Sequence, residues 1–283
     1  MNRLSELLKQ VFDFFENPSP TKKRKRIFIL VLAIIVLVIS FSWGVPQIRL
    51  VEDRKRERKT RETQQQQVAA IIRNKIMDSH VLHSGDKFQE AKELLDNVLE
   101  EDPENYYAYY RRGLAYVGLG DNVKEKSPRE SKAYYRSGNQ DADEAIKRNG
   151  RFEEENGIRQ EYAPYYLKAL CLFGLNRHNE AKDAIDVAIG QNSENYTYFQ
   201  VRANICANLG EREEAASARM AAAELCLTLG LLDQAKNNYE KAVVNYEKAG
   251  NSSDTEEARS LFIQYANEVK AKIAELEILI KKG

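Results

Sequence analysis

From about residue 68 onward, apolar residues recur every three to four positions, the spacing of helices that bury one face. Before that point the pattern changes three times. Residues 1–16 put Leu4, Leu7, Leu8, Val11, Phe12 and Phe15 on one helical face, suited to a membrane interface or to packing on protein. Asn17-Pro18-Ser19-Pro20 interrupts it, and the basic run Lys22–Arg26 completes a segment over 1–26. Ile27–Ile48 then carries no charged residue; as a helix it would span roughly 33 Å, about one hydrocarbon core. Trp43 stands near its far end, where an amphipathic ring suits the headgroup layer. The pattern predicts a single-pass transmembrane helix over 27–48. A cleaved signal peptide, with Ser40 and Ser42 before the cut, is the alternative, but both the apolar run and the region before it are long for one.

Residues 49–67 are charged and glutamine-rich, without Gly or Pro, and read as a solvated helical stalk; anionic lipid headgroups are the rival use, blunted by the interspersed acids. Lys and Arg counts on the two sides of the apolar run nearly tie. The cluster abutting the run favours a cytoplasmic N-terminus and an extracytoplasmic C-terminal part, with a cytoplasmic C-terminal part as the alternative.

Self-similarity organises 68–250. Ile72 and Tyr106 stand 34 positions apart, as do Tyr162 and Tyr196, whereas Tyr106 and Tyr162 stand 56 apart. One period is therefore interrupted by an insertion, at about 122–161. Ser79, Gly113, Ala169 and Ala203 fall in register on first helices, and Ala91, Ala181 and Ala215 on second helices. Gly113 costs about 1 kcal/mol of helix propensity relative to Ala, which is offset if helices cross closely there. Gly120 and Gly210 are expected to end first helices in the left-handed conformation. Ser127-Pro128-Arg129-Glu130 starts the insertion helix as a capping box, and Gly150 is expected to end it. A last helix over 251–283, with Leu261, Phe262, Tyr265, Val269, Ile273, Leu276 and Ile280, would cover the open end of the array or pair with a partner helix.

These positions resemble the tetratricopeptide repeat (TPR). The likeness rests on Tyr109, Gly113, Tyr116 and Gly120, on Ala91 and Pro103, on Tyr165, Ala169, Leu172 and Ala181, and on Phe199, Ala203, Gly210 and Ala215; it covers about half the chain. With the apolar run and the helix patterns above, the resemblance completes the expectation of an all-α chain: an N-terminal transmembrane helix, a TPR-like α-solenoid with an insertion helix, and a long C-terminal capping helix. It also implies a concave groove lined by first helices. On that side fall Tyr107, Tyr110, Leu114 and Val117, then Tyr166, Leu170 and Phe173, then Gln200 and Asn204. Several of these tyrosines could instead pack on the insertion or terminal helix. Relatives that grip acidic chaperone tails use Lys, Asn and Arg at such positions; Tyr110, Leu114, Ala163 and Leu167 stand there instead, which disfavours that clamp.

Composition narrows the function. Forty-three basic and 43 acidic residues balance, so no global field favours nucleic acid. Cys171, Cys206 and Cys226 lie in apolar helical patterns without CxxC spacing and read as buried small residues. His80 and His83 lack a partner set for a metal, His178 reads as structural, and no catalytic motif or cofactor fingerprint occurs. The expectation is a non-enzymatic, membrane-anchored interaction scaffold taking a peptide segment or helix of a partner protein. A structural subunit of a larger membrane-bound assembly and an accessory factor for translocation or folding are the alternatives.

Overall fold

In the computed structural model, Glu6, Lys9, Lys22–Asn156 and Pro164–Lys282 are described. The amphipathic segment expected over 1–16 otherwise lies outside them. The chain divides into two units, Met1–Ala70 and Ile71–Gly283. Helix α1 (Lys22–Ser84) supplies the first unit and begins the second.

In the first unit the described apolar side chains run from Ile29 to Val38, exposed except for half-buried Ile35. These ten positions are half of what a span takes, about 20. The side chains of 39–51 lie outside those described. Among the described residues no helix is long and apolar enough to cross a membrane, so the anchor expected over Ile27–Ile48 finds no support there. Glu52–Gln67 is helical and exposed throughout.

The second unit is a succession of antiparallel helices: the end of α1, α2 (Phe88–Glu101), α3 (Tyr106–Val123), α4 (Pro128–Asn156), α5 (Pro164–Gly174), α6 (His178–Gln191), α7 (Tyr196–Leu209), α8 (Arg212–Thr228), α9 (Leu232–Asn251) and α10 (Glu256–Lys282). From α2 onward each helix packs on the next, and first helices also touch across units, α3 on α5 and α5 on α7. Ile72 and Ile76 of α1 join Leu95, Val98 and Leu99 of α2 and Ala108 of α3 in one cluster. Burying an aliphatic side chain of this size contributes about 1.5–3 kcal/mol, so each interface has a real apolar core.

Local chemistry sets the period. Asp86, Asn176, Gly210 and Gly230 adopt positive φ (58°, 63°, 85° and 71°). One residue beyond each, an amide donates to the carbonyl five positions back: Lys87 to Leu82, Arg177 to Leu172, Glu211 to Cys206 and Leu231 to Cys226, at 2.8–2.9 Å. This is the Schellman closure, which satisfies orphan carbonyls and reverses the chain. Between units, Asn105 and Asn195 cap α3 and α7, their side chains accepting from the amides of Ala108 at 2.9 Å and Thr197 at 3.0 Å.

Two glycines depart from expectation. Gly120 sits just before the insertion, yet α3 continues through it to Val123. Its missing side chain admits the ring of Tyr135; an added Cβ would lie 2.9 Å from that ring, and one on Gly174 would lie 2.6 Å from the same ring. Tyr135, 2% exposed, is thus clasped between α3 and α5 and donates its hydroxyl to Asp121 at 2.5 Å. Gly150 does not end the insertion helix, which runs on to Asn156. Residues 151–156 thus belong to α4, not to the next first helix.

Gly113 permits close packing, as its register suggests, but its tight neighbour is Leu167 on the first helix of the next unit. An added Cβ would fall 2.3 Å from a Leu167 methyl. Gly138 of α4 backs it, its own Cβ position 3.1 Å from the Gly113 carbonyl oxygen. Ser79, Ala91, Ala169, Ala181, Ala203 and Ala215 are all buried, as small crossing residues must be.

Candidate functional site

The first helices α3, α5 and α7 carry the expected groove positions at helical spacing. Tyr107, Tyr110 and Leu114 are half-buried on α3, as are Tyr166, Leu170 and Phe173 on α5. The Tyr107 and Tyr110 rings stack at 6.1 Å. Tyr166 stacks on Tyr198 of α7 at 5.0 Å, joining adjacent units. Tyr198 is not among the expected groove positions, because its register is that of Ala108, a core position, and it is itself 5% exposed. Burial pushes the Tyr166 phenol up to about 12 and those of Tyr110 and Tyr198 above their ordinary value, so all three stay neutral donors at neutral pH.

These rings are shared between surface and core. Tyr110, Leu114 and Val117 pack on Ala142 of the insertion helix and on Leu167 and Cys171. Tyr116 meets Tyr134 of the insertion helix at 6.3 Å. Phe173 instead meets His178 at 5.2 Å across the α5–α6 turn. His83 and Phe88 make the equivalent contact, 4.9 Å, 90 positions earlier with the ring types exchanged. Burial and the nearby Arg111 charge lower the His83 pKa, consistent with packing. Among the described residues no group of three or more His, Cys, Asp or Glu could hold a metal ion. The three cysteines are free and buried, and burial raises their thiols, Cys206 to about 11, which suits inert core residues rather than nucleophiles.

An ion lattice holds the helices that present the groove. Arg112 of α3 donates to both oxygens of Asp141 on α4, at 2.7 and 2.9 Å, and to Asp96 on α2 at 2.8 Å. Burial acts to lower the Arg112 pKa, but these hydrogen bonds raise it overall. For Asp141, burial outweighs Arg112 and pushes the carboxyl up. The pair is therefore costly to bury and costlier to break. Arg202 of α7 repeats the α3-to-α2 link two units on, donating to Asp186 of α6 at 2.7 Å.

Toward the C-terminal end the surface turns polar. Gln200 donates to Asn238 at 3.2 Å, and Arg219 donates to Asn238 at 3.2 Å and to Asn204. Gln200, Asn204, Arg212, Arg219, Lys241 and Lys248 line a recess of about 440 Å³. Sequence reasoning found Gln200 and Asn204 but missed the cations, which come from α8 and α9. Arg219, alone among alanines in "AASARMAAAE", was the available signal.

No family model matches the chain, and no curated protein matches it. Among solved structures, MamA is 15% identical with a TM-score of 0.50, the match covering 75% of this chain and 94% of MamA. The MamA RS-1 ArsTM double mutant is 14% identical, TM-score 0.50, covering 76% and 98%. The fold is a TPR-like solenoid. YrrB, described as a TPR protein with an unusual peptide-binding site, is 21% identical at TM-score 0.44, covering 74% of this chain and 91% of YrrB. Tyr110, Leu114 and Leu167 pack in or beside the apolar cluster with Ala142 and Cys171, and Ala163 lies outside the described residues.

Proposed function

We propose that this chain is a membrane-anchored TPR-like scaffold that docks a segment of a partner protein along the face formed by its first helices. The observation that carries the reading is the half-buried set Tyr107, Tyr110, Tyr166 and Leu170 running toward the polar recess at Gln200 and Asn204. Aromatic side chains that are apolar on one face and can hydrogen-bond at the tip are favoured anchors at protein interfaces. The membrane part of the proposal rests on the sequence: the uncharged run Ile27–Ile48 beside the basic cluster Lys22–Arg26. Residues 49–67 serve as the spacer, and an extracytoplasmic solenoid is the favoured orientation.

Two measurements test this. A photo-crosslinker placed at Leu170 in cells should trap a discrete partner, and Tyr107→Ala with Tyr166→Ala should abolish the adduct while circular dichroism shows the helical fold retained. Adducts that survive both substitutions sink the groove reading. Carbonate extraction should leave the chain in the membrane fraction, and release would refute the anchor. A second reading has its own support: Leu261, Ile263, Ile278 and Leu279 of α10 are 43–56% exposed. Those side chains suit a subunit held in an assembly through its last helix, and crosslinks from Ile278 rather than Leu170 would favour it.

A further inference from the structure

The recess at the end of the groove is built from cations that this chain does not neutralise. Arg219 is 7% exposed, and its guanidinium donates to two amide oxygens, on Asn204 and Asn238, rather than to a carboxylate. Burial alone lowers its pKa, with no acid acting to raise it. Arg212, Lys241 and Lys248 line the same space. Among the described residues, no ion pair joins any of the four to an acid. Of the nearby acids, Glu211 pairs with Lys182, Glu224 with Lys272 and Glu247 with Lys270, and Glu213 and Glu214, exposed on the first turn of α8, pair with none of the four cations. A guanidinium taken out of water without a counter-charge is expensive, and an incoming anion repays that cost.

We infer that this recess is a subsite for the carboxylate of an Asp or Glu side chain carried by the segment that docks on the first helices. The inference rests on the docking reading above and adds its chemistry. Asn204 and Gln200 are spaced to hydrogen-bond the same segment, and the recess of about 440 Å³ has room for an acidic side chain with its neighbours. Its cations belong to the second helix α8 and to α9. Arg219 sits at the back and Lys241 and Lys248, both exposed, at the mouth, so an acid entering from the groove meets charge at both depths. No carboxylate of the chain lines the recess to compete for these cations.

A randomised 12-residue peptide library panned on the full chain in detergent tests the assignment. Peptides selected by the wild type should be rich in Asp or Glu. The paired surface substitutions Lys241→Glu and Lys248→Glu, which leave the buried Arg219 network intact, should erase that preference and weaken a selected peptide at least about tenfold. Selected peptides with no acidic bias, or a bias indifferent to the charge reversal, overturn the subsite and leave the docking reading standing. Selection of no peptide at all overturns both. A phosphoserine version binding more than about tenfold tighter than its Glu counterpart overturns the carboxylate assignment in favour of phosphate.

Discussion

Asp141→Asn removes one charge from the Arg112 bridge and keeps the side chain's shape. Asp141 is 4% exposed, and Arg112 grips both its oxygens at 2.7 and 2.9 Å. Removing one partner of a buried pair costs about 3–5 kcal/mol. Arg112 keeps Asp96 at 2.8 Å and is 19% exposed at its side chain, which places the expected loss near the low end, about 3 kcal/mol. With a urea m-value of about 2–3 kcal/mol/M, the midpoint of the second unit should fall by about 1 M. Asp96→Asn is the internal control: Asp96 is 33% exposed and leaves the Asp141 grip intact, so its cost should stay under about 1 kcal/mol. Replacing both partners, Arg112→Met with Asp141→Leu, should recover most of the loss, because Asp96 retains Lys92 at 2.6 Å and no charge is left buried alone. Urea titration of the full chain by far-UV circular dichroism reads all three. The reasoning fails if Asp96→Asn costs as much as Asp141→Asn, or if the double replacement costs the sum of its parts.

Helix propensity says Gly138→Ala should stabilise by about 1 kcal/mol. The crowding of its Cβ position against Cys171 Sγ (2.8 Å) and the Gly113 carbonyl oxygen (3.1 Å) should reverse the sign, to a net loss of about 1–2 kcal/mol in thermal melts. Gly190 and Gly210 both face open space, but only Gly210 has positive φ, 85°. Gly190→Ala should therefore stabilise by up to about 1 kcal/mol and Gly210→Ala destabilise by about 1–2; equal signs would mean backbone conformation is not what Gly210 supplies. Glu224 accepts from Lys272 of α10 at 2.6 Å and from Tyr239 at 2.7 Å, and the Lys272 hydrogen bond holds its carboxyl below the ordinary range. A depressed carboxyl contributes stability above its unfolded value, about 4.3, and loses it as pH falls through the lower folded value. Lys272→Gln should cost under about 1 kcal/mol at neutral pH, and the gap should close under acid conditions; a gap that persists there refutes the link.

Much of the architecture could be read from spacing. The recurrence of Ser79, Gly113, Ala169 and Ala203 reports contacts between neighbouring helices, which local periodicity encodes. Gly120 shows where such reading stops. Its register is that of a chain-reversing residue, as at Asp86, Asn176 and Gly210, yet Tyr135, from a segment outside the repeat, uses it as a seat and the helix continues. Gly150 misled for a related reason: α4 is packed along α3 and α5, and tertiary packing overrides the propensity of a single glycine. The half-buried aromatic positions on the first helices follow from helical spacing. The cationic recess does not, because α9 follows Ala215 out of period and brings Lys241 and Lys248 alongside Asn204 in a way no repeat alignment anticipates.

The exchanged rings at the two reversals, His83 with Phe88 and Phe173 with His178, bear on how such an array can be recombined. Each crossing tolerates either order of imidazole and phenyl but holds one of each. Shuffling units to lengthen or shorten the chain would therefore need cut points outside both members of a couple. A junction falling between them would place two histidines or two phenylalanines face to face in half of the products.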